Sequence, residues 1–405
     1  MADNGFRVKG FNIVSSGTPS INSPINLNLN ANTVAISTNV SVGGKFTSNI
    51  TFAGSNYLNF ESNTIKIGCQ SGFESTYENV YNTFIGYQAG VSAGCGGVNN
   101  FIGLRAGSNS TTGSCNNFIG AYAGQYNSTG HSNIAIGSSA GRFLYGSYRN
   151  VYIGKDSGRN SGTGSISGAY NFFGGYLSGK YSKNTGFSVF LGNKAGLAHT
   201  NGLYNNIIGN EAGCGAYGGT TFPGSVGNNI IGLQAGKNIS NADFNNLIGC
   251  AAGACLINQV GNNFIGMQAG RGTSGYNNSV NFNNMIGAYA GTNIIAGCYN
   301  NVMGFLAAQS ITDGSNNNYI GNRAARYSTS GNFNVALGYY SGALLTGLDN
   351  VYIGSCAALQ SNDGRCNIAI GYKSGFLAGC NAFAGIAHTS LNNIMIGCSA
   401  GEASH

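Results

Sequence analysis

An all-β, parallel β-solenoid (β-roll) is the fold this sequence predicts, and a repeat, its period and the composition together predict it. The repeat is N-x-Φ-I-G-x-x-A-G, with Φ a large apolar residue, as in Asn116 to Gly124 (NNFIGAYAG) and Asn262 to Gly270 (NNFIGMQAG). Anchored on its central glycine it occurs nineteen times, from Gly68 to Gly397, and twelve of the eighteen intervals are 17 residues. A register that strict signals stacked rungs. The composition agrees: of 405 residues 68 are Gly, only 7% are charged and 42% are hydrophobic. Disorder requires more charge and fewer aromatics, and collagen requires glycine at every third position.

Each column relative to the anchor has a physical reading. Position −4 is Asn in seventeen copies, the exceptions being Thr64 and Ser188, which predicts side-chain amide ladders running from rung to rung. Position −1 is Ile in fifteen copies and reads as a β-branched core ladder. Position +3 is Ala or Ser in all nineteen and +4 is Gly in sixteen, the mark of a corner where backbone turns or approaches another backbone. A second glycine ten residues after many anchors, for example Gly113, Gly130 and Gly314, predicts a second turn. One rung then holds two short strands and two corners. Positions −1 and −2 face opposite sides of a strand, yet both are apolar. One fills the rung's own core and the other requires a partner, because an apolar stripe over nineteen rungs exceeds what a monomer exposes. Self-association, with a homotrimer as the expected form, follows; a wide rung burying both columns is the alternative. Eighteen steps of ~4.8 Å give a shaft of roughly 85 to 90 Å.

The chain divides into a β-rich attachment or capping region, residues 1–60, and a solenoid shaft, 61–405. Ile25 to Val40 alternates apolar and polar residues as strands do. Arg7 and Lys9 are two charges set close together in the first region and are the candidate attachment residues. Four intervals are clearly longer than the period, and insertions in solenoids gather on a surface face and often bind. They supply the candidate binding residues Tyr170, Tyr217, Phe222, Tyr276 and Phe383, aromatics among small polar residues that suit a glycan or protein.

The unit Asn99 to Cys115 (NNFIGLRAGSNSTTGSC) resembles repeats of phage and large-virus tail-fibre proteins. The NIAIG segments at Asn133 and Asn367 are similar to the heads of trimeric autotransporter adhesins. The resemblance covers about Asn63 to Gly401 and implies a parallel β-roll, usually a homotrimer, that binds through surface loops. A signal-peptide-like apolar stretch is missing from MADNGFRVKG, which favours a virion component assembled in a host cytoplasm over the runner-up, a bacterial surface adhesin or filament subunit.

Function is therefore expected to be structural, in a virion fibre or spike. The expected partners are further copies of the chain, virion or baseplate proteins at the N-terminus, and a host-surface glycan or protein at the loops. A glycan-cleaving tailspike would need two carboxylates about 5 to 9.5 Å apart. Asp156 and Glu211 share column +2 three rungs apart, and Lys194 with Glu211 reads as a surface ion pair; Glu74 and Glu78 are the pair that spacing leaves open. No enzyme, cofactor or metal is expected. Eleven cysteines without a CxxC read as buried free thiols. The charge of +7 is spread without a basic run, so nucleic acid is not an expected partner, and no 18-residue apolar segment predicts membrane insertion.

Overall fold

The computed structural model describes residues 50–51, 57–61, 63–72, 81–160, 168–215, 222–223, 225–273, 279–360, 364–376 and 391–401. The chain forms two compact units, Met1–Thr47 and Ser48–His405. The first, with Arg7, Lys9 and the alternating segment from Ile25, lies outside the described residues. The second begins with two short antiparallel strands, Ile50–Thr51 and Tyr57–Glu61, the latter pairing antiparallel with Thr64–Ile67. From there on the pairing is parallel, rung upon rung, and the unit is a β-solenoid.

Every rung contributes one short strand to a single 21-stranded sheet, and the register follows the repeat: Asn100↔Asn117, Phe101↔Phe118, Ile102↔Ile119. A second sheet runs through only part of the shaft, four strands from Ser240–Asp243 to Ala296–Cys298, with isolated bridges at the equivalent place in other rungs, such as Ser315↔Asn332. The remainder of each rung is turn. Column +2 and the glycine at +4 sit in the left-handed region, for example Tyr122 (φ 59°) and Gly124 (φ 56°).

The glycines are steric requirements. Anchor Gly120 has φ 132°, and a Cβ there would lie 2.6 Å from the carbonyl oxygen of Gly137 on the next rung. Gly124 lies under the core ring, where a Cβ would meet Phe118 at 2.4 Å. Serines in column +3 replace alanine because their hydroxyls donate to the backbone one rung on, as Ser157 does to Phe173 O and Ser178 to Phe190 O, both at 2.8 Å.

The asparagine column forms the predicted ladder. Asn116 Nδ2 donates to Asn99 Oδ1 (3.2 Å) and to the Gly130 carbonyl (2.8 Å), while Asn99 Oδ1 also accepts from the Asn116 backbone N–H (2.9 Å). One amide thus satisfies buried backbone groups that would otherwise cost about 1–3 kcal/mol each. At Ser188 the hydroxyl substitutes as acceptor, for the Asn205 N–H at 3.2 Å.

The reading of column −1 as a core ladder is corrected. Column −2 is the buried one: Phe84, Phe101, Phe118, Phe173 and Phe190 are fully enclosed, with rings stacked at 5.0 Å (Phe101–Phe118) and 4.5 Å (Phe173–Phe190). Column −1 points outward, with Ile119, Ile136 and Ile153 about two-fifths exposed. The reason is parity: Asn at −4 must face inward to reach its ladder, which puts −2 inward and −3 and −1 outward. Of the two arrangements open in the sequence, burial of both apolar columns within one chain is not the one adopted.

In several described rungs core volume is exchanged between column −2 and column +7. Phe84, Phe101 and Phe118 stand with Ala93, Ser110 and Asn127, whereas Ala135 and Ala336 stand with Leu144 and Leu345. Ile230 and Ile239 meet beneath Gly236, where a Cβ would touch both at 3.1 Å. Interiors close-pack to near-crystalline density, so a small residue on one side selects a large one on the other.

Candidate functional site

Three outward regions are built by the columns. The sheet face consists of columns −3 and −1, in which not one residue is charged. Column −1 is the isoleucine ladder; column −3 alternates between aliphatic blocks, such as Ile134 and Val151, and asparagines that form a second ladder. Asn246 Nδ2 donates to Asn263 Oδ1 and Asn263 Nδ2 to Asn284 Oδ1, both at 2.8 Å.

The corner at column −5, directly before the inward Asn, is left-handed in every described rung from Tyr81 onward and carries an aromatic in eight of them: Tyr81, Tyr170, Phe187, Tyr204, Phe244, Phe282, Tyr299 and Phe333. All eight are exposed. Tyr170, Phe187 and Tyr204 stack on successive rungs at 4.9 and 5.1 Å, and Phe282 stacks with Tyr299 at 5.2 Å. Left-handed backbone costs roughly 1–2 kcal/mol in a residue with a Cβ.

The turn face, columns +1, +2 and +5, collects the charge. Column +1 holds Lys155; column +2 holds Arg105, Lys194, Arg323 and Lys373; column +5 holds Arg142, Arg159, Lys180, Lys237, Arg271 and Arg326. Among the described residues, Asp156 and Glu211 are the carboxylates that oppose these eleven cations; Glu402, also in column +5, lies outside them. Asp156 pairs with Arg159 (3.2 Å) and Lys180 (3.6 Å), and Glu211 with Lys194 (3.3 Å) and Lys237 (2.7 Å). The Lys237 hydrogen bond first, then that of Gln234, pulls the Glu211 carboxyl down to about 2. Elsewhere guanidinium groups lie on rings: Arg142 is 4.9 Å from the Tyr122 centroid and 5.2 Å from that of Phe143, and Arg326 is 4.9 Å from that of Tyr327.

The two candidate binding residues among those described, Tyr170 and Phe222, sit in different elements. Tyr170 belongs to the corner column, stacked on Phe187, edge-on to Tyr148 at 5.9 Å and beneath the Arg149 guanidinium, which also bonds its hydroxyl. Phe222 lies in a two-residue strand paired with His199–Thr200. Tyr217, Tyr276, Phe383, Glu74 and Glu78 lie outside the described residues. The corner and turn faces were missed in the sequence, although both are legible once the alignment is read for columns −5, +2 and +5.

His199 replaces the usual small or aliphatic +7 residue in the core, edge-on to Phe190 at 5.4 Å with Nε2 3.2 Å from Asn205 Nδ2. Burial lowers its pKa to about 4. The expectation of buried thiols is corrected: among the described residues ten cysteines are free, and of these only Cys214 is buried while Cys95, Cys115, Cys250, Cys366 and Cys398 are exposed, because most occupy outward columns such as −5 and +1. Burial raises the Cys214 thiol pKa. Among the described residues no cluster of three or more His, Cys, Asp or Glu could hold a metal, and no helix is long and apolar enough to cross a membrane. No protein-family model matches the chain, and a search of curated proteins finds no significant relative.

Proposed function

We propose that this chain is a structural, non-enzymatic subunit of a virion fibre or spike that self-associates along its sheet face and meets a host surface with its corner and turn side chains. The observation that carries the reading is the outward isoleucine ladder within an entirely uncharged face. Interface centres are depleted in charge, and an exposed apolar patch of this extent marks an association surface. The virion assignment draws on the resemblance of the repeats to tail-fibre sequences. A homotrimer closes three such faces about one axis and leaves no heterologous face open to endless growth.

Native mass in solution tests the proposal. A species of three times the 41.5 kDa chain mass is the expected result; a stable monomer at micromolar concentration would remove self-association from the reading.

A further inference from the structure

From the turn face we infer that the shaft binds a linear acidic polysaccharide laid along the rungs, a conclusion that rests on the surface-contacting part of the fibre proposal and specifies its ligand. Eleven cations against three carboxylates leave an excess of eight, more than the net +7 of the whole chain. The corner side of the rung, columns −9 to −5, carries no positive excess: Arg149, Lys183 and Arg365 stand against Glu61, Glu78, Asp243, Asp313, Asp349 and Asp363. The positive field is thus a property of one face.

Its densest stretch covers four successive rungs. Arg142 and Arg159 succeed one another in column +5, followed by Lys180, which is buried; Lys155 and Lys194 stand beside them, with Asp156 paired to Arg159 and Lys180 and Glu211 to Lys194. Stacked cations ~4.8 Å apart repel one another, and a bound polyanion relieves that repulsion. Lys155 is exposed, and Arg142 is held ready by rings and by a 2.8 Å hydrogen bond from its Nε to Gln125 Oε1. Little ordering of these side chains remains to be done on binding.

The ligand is a polysaccharide and not a nucleic acid because the rings around Arg142 are occupied and the cations are sparsely spaced. Proteins that bind single strands stack bases on free rings, whereas here Tyr126 and Phe143 stack on each other at 4.9 Å and Arg142 covers Tyr122. Duplex DNA carries one charge per about 1.7 Å, far denser than one cation per rung. A chain with an acid group on each sugar, or on every second one, matches the sparser array. Recognition is through carboxylate or sulfate charge.

The experiment is equilibrium binding of the full chain to polygalacturonate, dextran sulfate, neutral dextran and single-stranded poly(dT), between about 50 and about 200 mM salt. Both acidic polysaccharides are expected to bind with steep salt dependence, and neutral dextran not to bind; the two acidic probes separate carboxylate from sulfate preference. Arg142→Gln with Lys155→Gln should weaken binding about tenfold and make the salt slope shallower by about 2, with melting temperature and native mass unchanged. Arg149→Gln with Lys183→Gln, on the corner side that lacks a positive excess, should bind as the parent does. Should the first pair fail to fold, Arg326→Gln with Lys373→Gln tests the same face on distant rungs. Three results would each overturn the inference: no binding to either acidic polysaccharide, equal binding by folded turn-face variants, or tighter binding to poly(dT) at matched salt. Native mass reads out self-association separately, so loss of one conclusion is distinguishable from loss of the other.

Discussion

The sheet face and the turn face are made by the same rungs, a few residues apart in sequence, yet one carries no charge and the other nearly two-thirds of the chain's basic residues. The difference teaches what stacking permits. On the sheet, strand geometry sets each side chain directly over its counterpart one rung away (Ile231↔Ile248↔Ile265). Like charges so placed would repel along the whole ladder, whereas isoleucines and amide-bonded asparagines can repeat without limit. On the turn a cation can be followed by a residue of another kind, so a carboxylate reaches cations on neighbouring rungs, as Glu211 does with Lys194 and Lys237.

The largest test of this contrast places one charge on each face. Ile248→Lys should abolish self-association and reduce the native mass to that of one chain, because an unpaired ammonium would be buried at the contact. Ala251→Lys, three residues later on the turn face, should leave the mass unchanged. Association that survives Ile248→Lys would place the contact elsewhere.

Next in size is a test of the core both faces rest on. Phe118→Ala should cost about 3–5 kcal/mol in denaturant unfolding, and adding Asn127→Leu should recover more than half of it by restoring the pairing that Ala135 and Leu144 already use. No recovery would deny the volume exchange between columns −2 and +7.

Acid separates the regions further. His199 is held at about 4 against 6.5 when unfolded, so the native state takes up its proton later than the unfolded chain. Stability is full above about pH 6.5 and falls as pH drops from there to about 4, by about 3 kcal/mol at most. His199→Leu should flatten that window in pH-dependent melting. The sheet face, lacking titratable groups, should add no pH dependence of its own.

The smallest effect is expected at Glu211. Glu211→Gln should cost less than about 1 kcal/mol, since the pair is partly solvated, and the difference should shrink in high salt. Its contribution is present above the ordinary 4.5 and lost as pH falls towards 2. A loss of several kcal/mol would mean the turn charges hold the fold together.

The repeat made the solenoid legible because Asn, Gly and Ala each answer to a requirement of backbone: the ladder amide, the φ near 130° at the anchor, the close packing on Phe118. The direction of the apolar columns was not legible in the same way. Column −1 is nearly uniform and suggested a core, while the true core column varies from Phe118 to Ala135 because Asn127 and Leu144 compensate across the rung. Uniformity reflected stacking in register, not burial. The aromatic corner is hard to see in the sequence because a bulky residue in left-handed backbone has no propensity signal; Tyr170, in a lengthened interval, also stacks within that column. The turn charges, separated by 17 residues or more in sequence, form no run and become a face only when the rungs are stacked.

Ser188 gives the asparagine ladder a single described interruption beyond the first rung, and under load that interruption is a joint. Stretched from its ends, a solenoid yields one rung at a time, and 17 freed residues lengthen it by about 60 Å. A hydroxyl that donates one bond, and that within its own rung to Gly186 O (3.0 Å), where an amide donates two across rungs, makes the rungs around Ser188 the place where a taut shaft parts first.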